Sequence, residues 1–288
     1  MKKSKLISIS DAIKQIPNGS KVAICGSFTR RHPMALVHEL IRQDKRDLII
    51  YGWNNSIDFD LLIGAGCVKE ANSSYVGMGN LGSALNFRRS CQEGTICYID
   101  HTETTALDRF FAGYQGHSFA ISKTPLNTSL QIQPEYQTEI LCPFTKERYV
   151  AMEAWKPDYA LMHASRADEY GNVQLDRIRM MENEPDIIIC KASKHIIVSV
   201  EEIVSDDEII KNKEDTVLPK LFLDNVCLAP YGAHPNSCDA RYDYDIEHGR
   251  IYQSYSSSAE GIKKYIKEFI IDTGNWDGYL KKACNIFK

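Results

Sequence analysis

Short apolar runs alternate with segments of helical periodicity along the first 130 residues of the chain. Strand patterns occupy residues 21–25, 48–51, 69–76 and 95–99, and helical patterns occupy 11–16, 33–41, 58–64, 83–92 and 102–114. Ser10 is predicted to cap the first helix, with Ile13 and Ile16 facing inward. Pro33 suits the first turn of the second helix, and Gly94 ends the fourth. Strands separated by helices of this length predict an α/β fold, with an open, largely parallel sheet flanked by helices.

The pattern is less regular in the second half. Residues 115–148 are rich in Thr, Ser, Gln and Pro, which predicts extended segments and loops that decorate the sheet. Strand patterns return at residues 159–164, 173–175 and 195–200, and residues 187–190 indicate a buried strand by their β-branching. An amphipathic helix is predicted from apolar residues at helical spacing, Ile262, Tyr265, Ile266, Phe269 and Ile270. Because no linker or repeat divides the sequence, we expect a single domain over residues 1–288.

Composition and charge narrow the class of protein. The 288 residues are 43% hydrophobic and 25% charged, as in ordinary globular proteins, and the net charge of -4 argues against a nucleic-acid binder. The N-terminal segment has no apolar core of a secretory signal, and no apolar run approaches the roughly 20 residues of a membrane span. The nine cysteines include no C-x-x-C pair, which indicates free thiols and argues against zinc. We expect a cytoplasmic protein with no metal, no membrane contact and no nucleic-acid partner.

A formal G-x-G-x-x-G motif spans residues 77–82, with Gly77, Met78, Gly79 and Asn80 at its start. It follows a predicted strand and precedes a predicted helix, as in dinucleotide-binding folds, and Asp100 ends the next strand where a ribose-binding acid would lie. The preceding strand is polar, however, and it would be the third strand of the sheet instead of the first. A dinucleotide-binding oxidoreductase and a tight turn without a ligand both remain alternatives.

A constrained, aromatic and acidic loop follows the apolar residues near position 228. Pro230, Gly232 and Pro235 restrict the backbone around His234, which favours a structural hydrogen bond over catalysis for this histidine. Such a loop usually shapes a site or an interface, and residues 242–245 are predicted to brace a subunit contact. Two acidic residues come directly after a buried strand pattern, and they are predicted to cap backbone groups instead of acting as nucleophiles: Glu201 and Glu202.

Five segments resemble, in the same order, the α subunits of class I coenzyme A transferases, above all those of the glutaconate CoA-transferase type. They are DAIKQIPNGSKVAICGSFTRRHPMALVHEL, DFDLLIGAGCVKE, IDHTETTALDRFFAGYQGHSF, VSVEEIVSDDEI and LAPYGAHPNSCDARYDYD. Arg31 and Pro33 match the R-x-P of those subunits. The pairs at residues 27–28 and 117–118 depart from the family's pattern, which leaves the identity of the substrate open.

The resemblance implies the CoA-transferase (NagB/RpiA-like) superfamily fold, with residues 187–190 in a helix entered from Pro185. It also implies that a glutamate carboxylate attacks an acyl-CoA such as acetyl-CoA, giving an anhydride and then a glutamyl-CoA thioester, and that a second carboxylate reverses the sequence. In heteromeric members that glutamate lies on the β subunit, so this chain would supply one wall of the pocket and no nucleophile. We expect a CoA thioester as substrate, no permanently bound cofactor, and a dicarboxylate such as glutaconate as acceptor.

The candidate binding residues follow two predicted strands at the carboxyl edge of the sheet, where open α/β sheets bind ligands. They are Gly26, Ser27 and Phe28, and Gly77, Met78, Gly79 and Asn80. Arg31 is read either as a partner of a substrate carboxylate or CoA phosphate or as a solvated loop charge, and Arg88 and Arg89 as a helix surface. Some relatives hydrolyse carbon–carbon bonds of ring-derived CoA esters with a glutamate near Glu103, so a CoA-ester hydrolase is the enzyme alternative. A non-catalytic scaffold is the third.

Overall fold

A computed structural model describes residues 3–131, 135–177 and 184–283. The strands are β1 (Lys21–Ile24), β2 (Leu48–Tyr51), β3 (Asn54–Asn55), β4 (Val68–Ser73), β5 (Tyr75–Val76), β6 (Cys97–Asp100), β7 (Phe119–Ser122), β8 (Gln137–Leu141), β9 (Arg148–Glu153), β10 (Tyr159–Ala167), β11 (Val173–Gln174), β12 (His195–Ile203), β13 (Thr216–Leu218) and β14 (Asn225–Leu228). The α-helices are α1 (Ile9–Lys14), α2 (Met34–Arg42), α3 (Ile57–Gly64), α4 (Leu85–Glu93), α5 (Glu103–Tyr114), α6 (Glu184–Ala192), α7 (Asp206–Lys211), α8 (Ile246–Ser256), α9 (Ala259–Tyr265) and α10 (Trp276–Ala283). Among these residues, no helix combines the length and apolar character that a membrane crossing needs.

A large sheet forms the centre of the molecule. Its parallel strands lie in the order β14-β12-β10-β1-β2-β4-β6. β11 and β13 extend it as antiparallel strands beside the carboxyl end of β10. The predicted α/β fold, with an open, largely parallel sheet flanked by helices, is therefore confirmed.

The central strands are buried on both faces. In β1, Val22 and Ile24 pack into the hydrophobic cluster of α1, α2, α3 and the C-terminal helices, whereas Ala23 packs into the cluster of α5 and α6. This alternation follows from the two-residue period of a strand. The predicted amphipathic helix near the C-terminus is α9 with the π-helical turn Ile266–Ile271 that continues it. These helices belong to the same hydrophobic cluster as α1, α2 and α3, so the C-terminal part packs on the face of the central sheet that those helices cover. A single domain over residues 1–288 stays a prediction.

The irregular middle of the chain forms a second, antiparallel sheet in the order β7-β9-β8. β7 and β8 lie within residues 115–148, for which extended segments and loops are predicted, whereas β9 lies beyond that stretch except for its first residue. Only one side of this sheet is apolar and buried, where Ala120, Val150 and Met152 form a small cluster of their own. The pairing into a separate sheet was not predicted, because Ala120 is the one buried apolar residue of β7 and β8 has none.

Two predictions of element boundaries are wrong. Ser8, not Ser10, caps α1, since the Ser8 Oγ accepts the N–H of Asp11 at 3.0 Å. The predicted strand over residues 69–76 breaks at Ser74, and its second part, β5, pairs with β3 outside the central sheet. Side-chain hydrogen bonds from Ser74 to the loop after β2 accompany this break.

The strand predicted by β-branching at residues 187–190 is also wrong. These residues lie in α6, the helix that the family resemblance implies. Ile189 and Cys190 are buried against the face of the central sheet that also holds α5. Burial of one helical face outweighs the weak strand preference of the isoleucines.

Candidate functional site

The loops after β1, β2, β4 and β6 meet at the carboxyl edge of the central sheet. Phe28 donates its backbone N–H to the carbonyl of Asn54 at 2.9 Å, and Gly77 donates its N–H to the carbonyl of Asn55 at 3.1 Å. The side-chain amide of Asn54 donates to the Glu103 carboxylate at 2.9 Å. The loop after β2, which contains both asparagines, therefore joins the predicted site segments and was missed in the sequence. Two adjacent asparagines shortly after an apolar strand are the signal that could have indicated it.

The loop after β1 has an unusual backbone. Gly26, Phe28 and Arg31 have φ angles of 109°, 52° and 49°, in the region that L side chains rarely adopt. A Cβ on Gly26 would lie 2.6 Å from the Nδ1 of His32 and 2.8 Å from the carbonyl oxygen of Arg30, so only glycine fits there. Backbone conformations of this kind persist only where the surroundings hold them.

A buried Asp–Arg–Asp triad helps to keep the loop after β1 in this backbone conformation. The Arg31 guanidinium donates to the Asp186 Oδ2 at 3.1 Å and to a carboxylate oxygen of Asp239, and the Asp186 Oδ1 accepts the N–H of Gly26 at 2.8 Å. Burial opposes the charge of Arg31, but the two carboxylates raise its pKa above the ordinary value. Arg31 is only 2% exposed, so its reading as a solvated loop charge is wrong. Binding of a ligand by Arg31 stays a prediction, and both terminal nitrogens already have partners.

A second buried ion pair supports the same loop. The His32 Nδ1 lies 3.1 Å from the Asp58 Oδ2, and its Nε2 lies 2.8 Å from the carbonyl oxygen of Phe28. Because both ring nitrogens face acceptors, the doubly protonated imidazolium satisfies them best. Burial opposes that charge, but Asp58 and the hydrogen bonds raise the pKa of His32. Asp58 also accepts from Asn55 and Ser56, which ties the loops after β1 and β2 together.

Ser27 offers a free polar group at this edge. Its side chain is 3% exposed, and its hydroxyl has no hydrogen-bond partner among the described residues. Buried hydroxyls are nearly always hydrogen-bonded, so an unpartnered one at a ligand-binding edge indicates a group reserved for a ligand or water. The ring of Phe28, the next residue, lies 5.4 Å from the ring of Tyr75 in β5, centre to centre.

The G-x-G-x-x-G segment borders an open cleft of about 670 Å³. Met78 is buried, Gly79 and Asn80 are exposed, and Gly79–Leu81 forms a short 3₁₀ turn. The cleft is also lined by Phe87, Arg88 and Tyr98. Helix α4 begins only after this turn and the residues that follow it, and the strand before the motif, β5, lies outside the central sheet. This geometry is not that of a dinucleotide-binding turn, in which the motif joins a central strand directly to a helix.

The remaining charged candidates lie near this edge. Glu103 is exposed at the first position of α5, after the capping residue Thr102. Arg88 is exposed, whereas Arg89 is half-buried and donates to Asn86 and to the carbonyl of Ser256, so only Arg88 fits the predicted free helix surface. Assignment of all these side chains to substrate binding or catalysis stays a prediction.

Glu201 is the centre of a buried polar network. It accepts hydrogen bonds from His163 (2.6 Å), from the Tyr242 hydroxyl (2.7 Å) and from the backbone N–H groups of Tyr231 and Gly232. Burial acts to raise the pKa of Glu201, but these donors hold it below the ordinary value. The predicted backbone capping by Glu201 is confirmed. The Cys238 Sγ is near, but three donors share the Glu201 Oε1 and the N–H of Tyr231 donates to its Oε2, so the carboxylate serves as a hydrogen-bond acceptor within the chain.

The loop around His234 is held by contacts within the chain. The His234 Nδ1 lies 2.9 Å from the Tyr279 hydroxyl, and its Nε2 lies 3.1 Å from the Asp245 Oδ2. The predicted structural hydrogen bonding of His234 is therefore confirmed. Glu202 pairs with Arg241 at 2.7 Å and caps no backbone group of the described residues, where that prediction is wrong for Glu202. The subunit contact predicted for residues 242–245 stays a prediction.

Comparisons with known proteins agree with this geometry. The family described as Coenzyme A transferase matches residues 6–229. The α subunit of the 3-oxoadipate CoA-transferase of Pseudomonas knackmussii is 31% identical over 98% of this chain and 99% of its own length. The α subunit of the glutaconate CoA-transferase of Acidaminococcus fermentans is also 31% identical, over 97% of this chain and 92% of its own. The cholesterol ring-cleaving hydrolase IpdA subunit of Rhodococcus jostii is 26% identical, over 96% of this chain and 95% of its own.

A solved structure supports the same assignment at the level of the fold. The crystal structure of the glutaconate coenzyme A-transferase from A. fermentans matches with a TM-score of 0.93 at 29% identity, over 99% of this chain and 94% of that one. The family match covers most of the sequence, and two relatives above 30% identity cover nearly all of it. The chain therefore belongs to the coenzyme A transferase family and is of the α-subunit type.

Proposed function

We propose that this chain is the α subunit of a heteromeric CoA-transferase that moves CoA between an acyl-CoA, such as acetyl-CoA, and a small carboxylate. The observation that carries the proposal is the buried, unpartnered Ser27 hydroxyl in a strained loop beside the Gly77 loop. Strain held by two buried ion pairs at the carboxyl edge is typical of a binding site. The exposed cleft beside it suits one wall of a pocket whose other wall belongs to a β subunit.

The nucleophile is expected on that partner. In this chain the buried Asp58, Asp186 and Glu201 carboxylates are bound to His32, Arg31 and His163, so none is free to attack a thioester. The partner's glutamate would attack the acyl-CoA carbonyl and form an anhydride and then a glutamyl-CoA thioester. The role proposed for this chain is to bind and orient the acyl group, with Ser27 and backbone N–H groups of the loops as donors to the carbonyl or carboxylate.

A dicarboxylate remains our first choice for the acceptor. Relatives named for glutaconate and for 3-oxoadipate are equally similar to this chain, so the two acids are equal candidates. Arg31 was expected to meet the distal carboxylate, but its two aspartate partners disfavour that role. Arg88 is an exposed cation in the cleft and is the better candidate for a distal carboxylate or a CoA phosphate. A cytoplasmic location and CoA as a substrate without a permanent cofactor complete the proposal.

A CoA-ester hydrolase is the second candidate. The hydrolase subunit of R. jostii is similar over nearly its whole length. Glu103 is exposed at the same edge and contacts Asn54, so a carboxylate is placed where an acid or base could act on a bound ester. Hydrolysis would require Glu103 itself, whereas transfer requires the glutamate of the partner.

The test is a mass-spectrometric CoA exchange assay on the chain with its co-purifying partner, offered acetyl-CoA with glutaconate, 3-oxoadipate or a monocarboxylate. New acyl-CoA species only in the complex support transfer. The variant E103Q separates the two candidates. Transfer uses the glutamate of the partner, so exchange should persist in E103Q. Hydrolysis would be favoured if the wild type adds one water to a ring-derived CoA ester, with the thioester intact, and E103Q does not. The exposed Glu93→Gln is the matched control.

A second variant tests the binding role directly. Because the Ser27 hydroxyl makes no hydrogen bond within the described chain, S27A should leave stability unchanged within about 0.5 kcal/mol. If the hydroxyl contacts the acyl group, kcat/KM for exchange should fall by about tenfold, the value of one hydrogen bond formed in the transition state. S257A, at an exposed serine, is the control, and full activity of S27A would remove Ser27 from the site.

A further inference from the structure

A cavity of about 120 Å³ lies between the central sheet and the antiparallel sheet. Lys21 is the first residue of β1 and Lys156 precedes β10, so these two exposed lysines place the rim of the cavity near the amino edge of the sheet. The loops of the candidate substrate site follow the opposite, carboxyl ends of the same strands. The cavity also reaches Tyr51 and Asn72, near the carboxyl ends of β2 and β4, but no residue named for the candidate substrate site lines it.

Arg109 projects into this cavity from α5. Its side chain is 3% exposed, its Nε donates to the carbonyl oxygen of Glu153 at 2.7 Å, and its guanidinium carbon lies 4.7 Å from the centre of the Trp155 ring. Its terminal nitrogens make no hydrogen bond or ion pair with the described residues. Arg31, equally buried, has two hydrogen-bonded carboxylate partners. Arg109 has none among the described residues, and the carboxylates of Glu153 and Glu70 act on its charge only from beyond ion-pair distance.

Such an arrangement is expensive for a protein to maintain. Arginine stays protonated, and a largely buried cation without a hydrogen-bonded anion loses part of its hydration, which a stacked ring only partly replaces. Burial lowers the pKa of Arg109 to about 10. A small anion in the cavity would supply the missing partner and would reverse this effect.

The other polar groups of the cavity permit an anion. Lys21, Lys156 and Arg109 give three positive charges against two carboxylates, those of Glu70 and Glu153. The carboxylate of Glu70 accepts from the Asn72 amide at 2.9 Å and from the Tyr136 hydroxyl at 3.4 Å, so its oxygens have neutral donors. The buried Tyr51 hydroxyl lines the same space and can donate. The cavity is too small for a nucleotide, since drug-sized ligands occupy roughly 300 Å³ or more.

We propose that this cavity binds a small oxyanion of the size of phosphate, with Arg109 as its main donor and Lys21 and Lys156 at the rim. The terminal N–H groups of Arg109 would bind it through the planar fork that suits phosphate and carboxylate oxygens. The bound anion would tie α5 to the antiparallel sheet. No residue of the candidate substrate site takes part.

The test is isothermal titration of the complete protein with inorganic phosphate, at constant ionic strength set with chloride. Saturable binding at one site per chain is expected for the wild type. R109Q should weaken it by at least tenfold, as expected for loss of one or two charge-assisted hydrogen bonds, whereas R250Q, at an exposed arginine of α8, should bind as the wild type does. Titration with acetate and with malonate tells whether the site prefers a tetrahedral or a planar anion.

If R109Q does not fold, variants of the two exposed lysines at the rim still test the proposal. The double variant K21Q/K156Q removes two solvated charges, and it should weaken phosphate binding by about threefold while the fold is retained. The proposal is overturned if phosphate shows no saturable binding to the wild type, or if R109Q or the folded double variant binds it as tightly as the wild type. Arg109 would then serve only as a structural clamp between α5 and Trp155.

Discussion

Removal of the Arg31 charge tests whether the triad holds the loop after β1. In R31M the side chain keeps most of its length, but the buried carboxylates of Asp186 and Asp239 lose their shared cation. Removing one partner of a buried ion pair typically costs about 3–5 kcal/mol. Since domains are stable by only about 5–15 kcal/mol, we expect a large fall in the free energy of unfolding.

The measurement is urea unfolding of R31M, R31K and the control R250Q. R31K keeps the charge but not the two-pronged geometry, so its loss should lie between those of R31M and R250Q, whose change should stay within about 0.5 kcal/mol. Asp186 also accepts the Gly26 N–H, so D186N should add a local effect on the loop. The double variant R31M/D186N should recover part of the stability, because it removes the charge of Asp186 that R31M leaves unpaired, whereas Asp239 keeps its ion pair with Arg30 at 2.7 Å.

Activity separates a positioning role from a purely structural one. If the triad positions the loop that binds the acyl group, folded R31K should show a lower kcat for CoA exchange at nearly unchanged partner binding. The energetic reasoning would be refuted if the free energy of unfolding of R31M were within about 1 kcal/mol of the wild-type value. R31K with wild-type kcat would refute the positioning role.

Three further predictions concern pH and packing. Burial lowers the pKa of His248 to about 3, so below about pH 6.5 the unfolded chain binds a proton that the folded chain does not. The free energy of unfolding should therefore fall by about 2 kcal/mol by about pH 5, and urea titrations should show a smaller fall for H248Q. His32 has a raised pKa, so its stabilisation is complete below about pH 6.5 and is lost as pH rises through the folded value; H32Q should abolish that alkaline loss, and parallel curves would contradict this. G26A should cost more than G79A in urea unfolding, because a Cβ at Gly26 meets His32 while that at Gly79 meets nothing within 4 Å; equal losses would contradict the steric argument.

The fold was more predictable from the sequence than the site. Strands such as Leu48–Tyr51 carry continuous apolar runs, so their position follows from local pattern alone. α6 shows the limit of such reasoning, since its isoleucines favour a strand locally and only packing against the sheet decides for a helix. The family resemblance supplied that helix where periodicity did not.

The support of the site could not be predicted because it joins residues that are distant in the sequence. Arg31 lies 155 positions before Asp186 and 208 before Asp239, and no local pattern signals such contacts. Arg31 was therefore read as a ligand partner or a solvated charge. Glu201 and His234 were read correctly because their neighbours in sequence, a strand end and a proline-rich turn, already restrict their roles.

The long sequence separation within the Arg31 triad also bears on synthesis of the chain. A ribosome that has made the first strand and its loop must still add more than half of the protein before Asp186 emerges, and Asp239 follows later still. Until then the nascent loop lacks both aspartates of the triad, and only the His32–Asp58 pair can support its left-handed residues. The substrate-facing edge should therefore mature last, so that shortened products ending before residue 239 would keep early strands yet lack a formed edge.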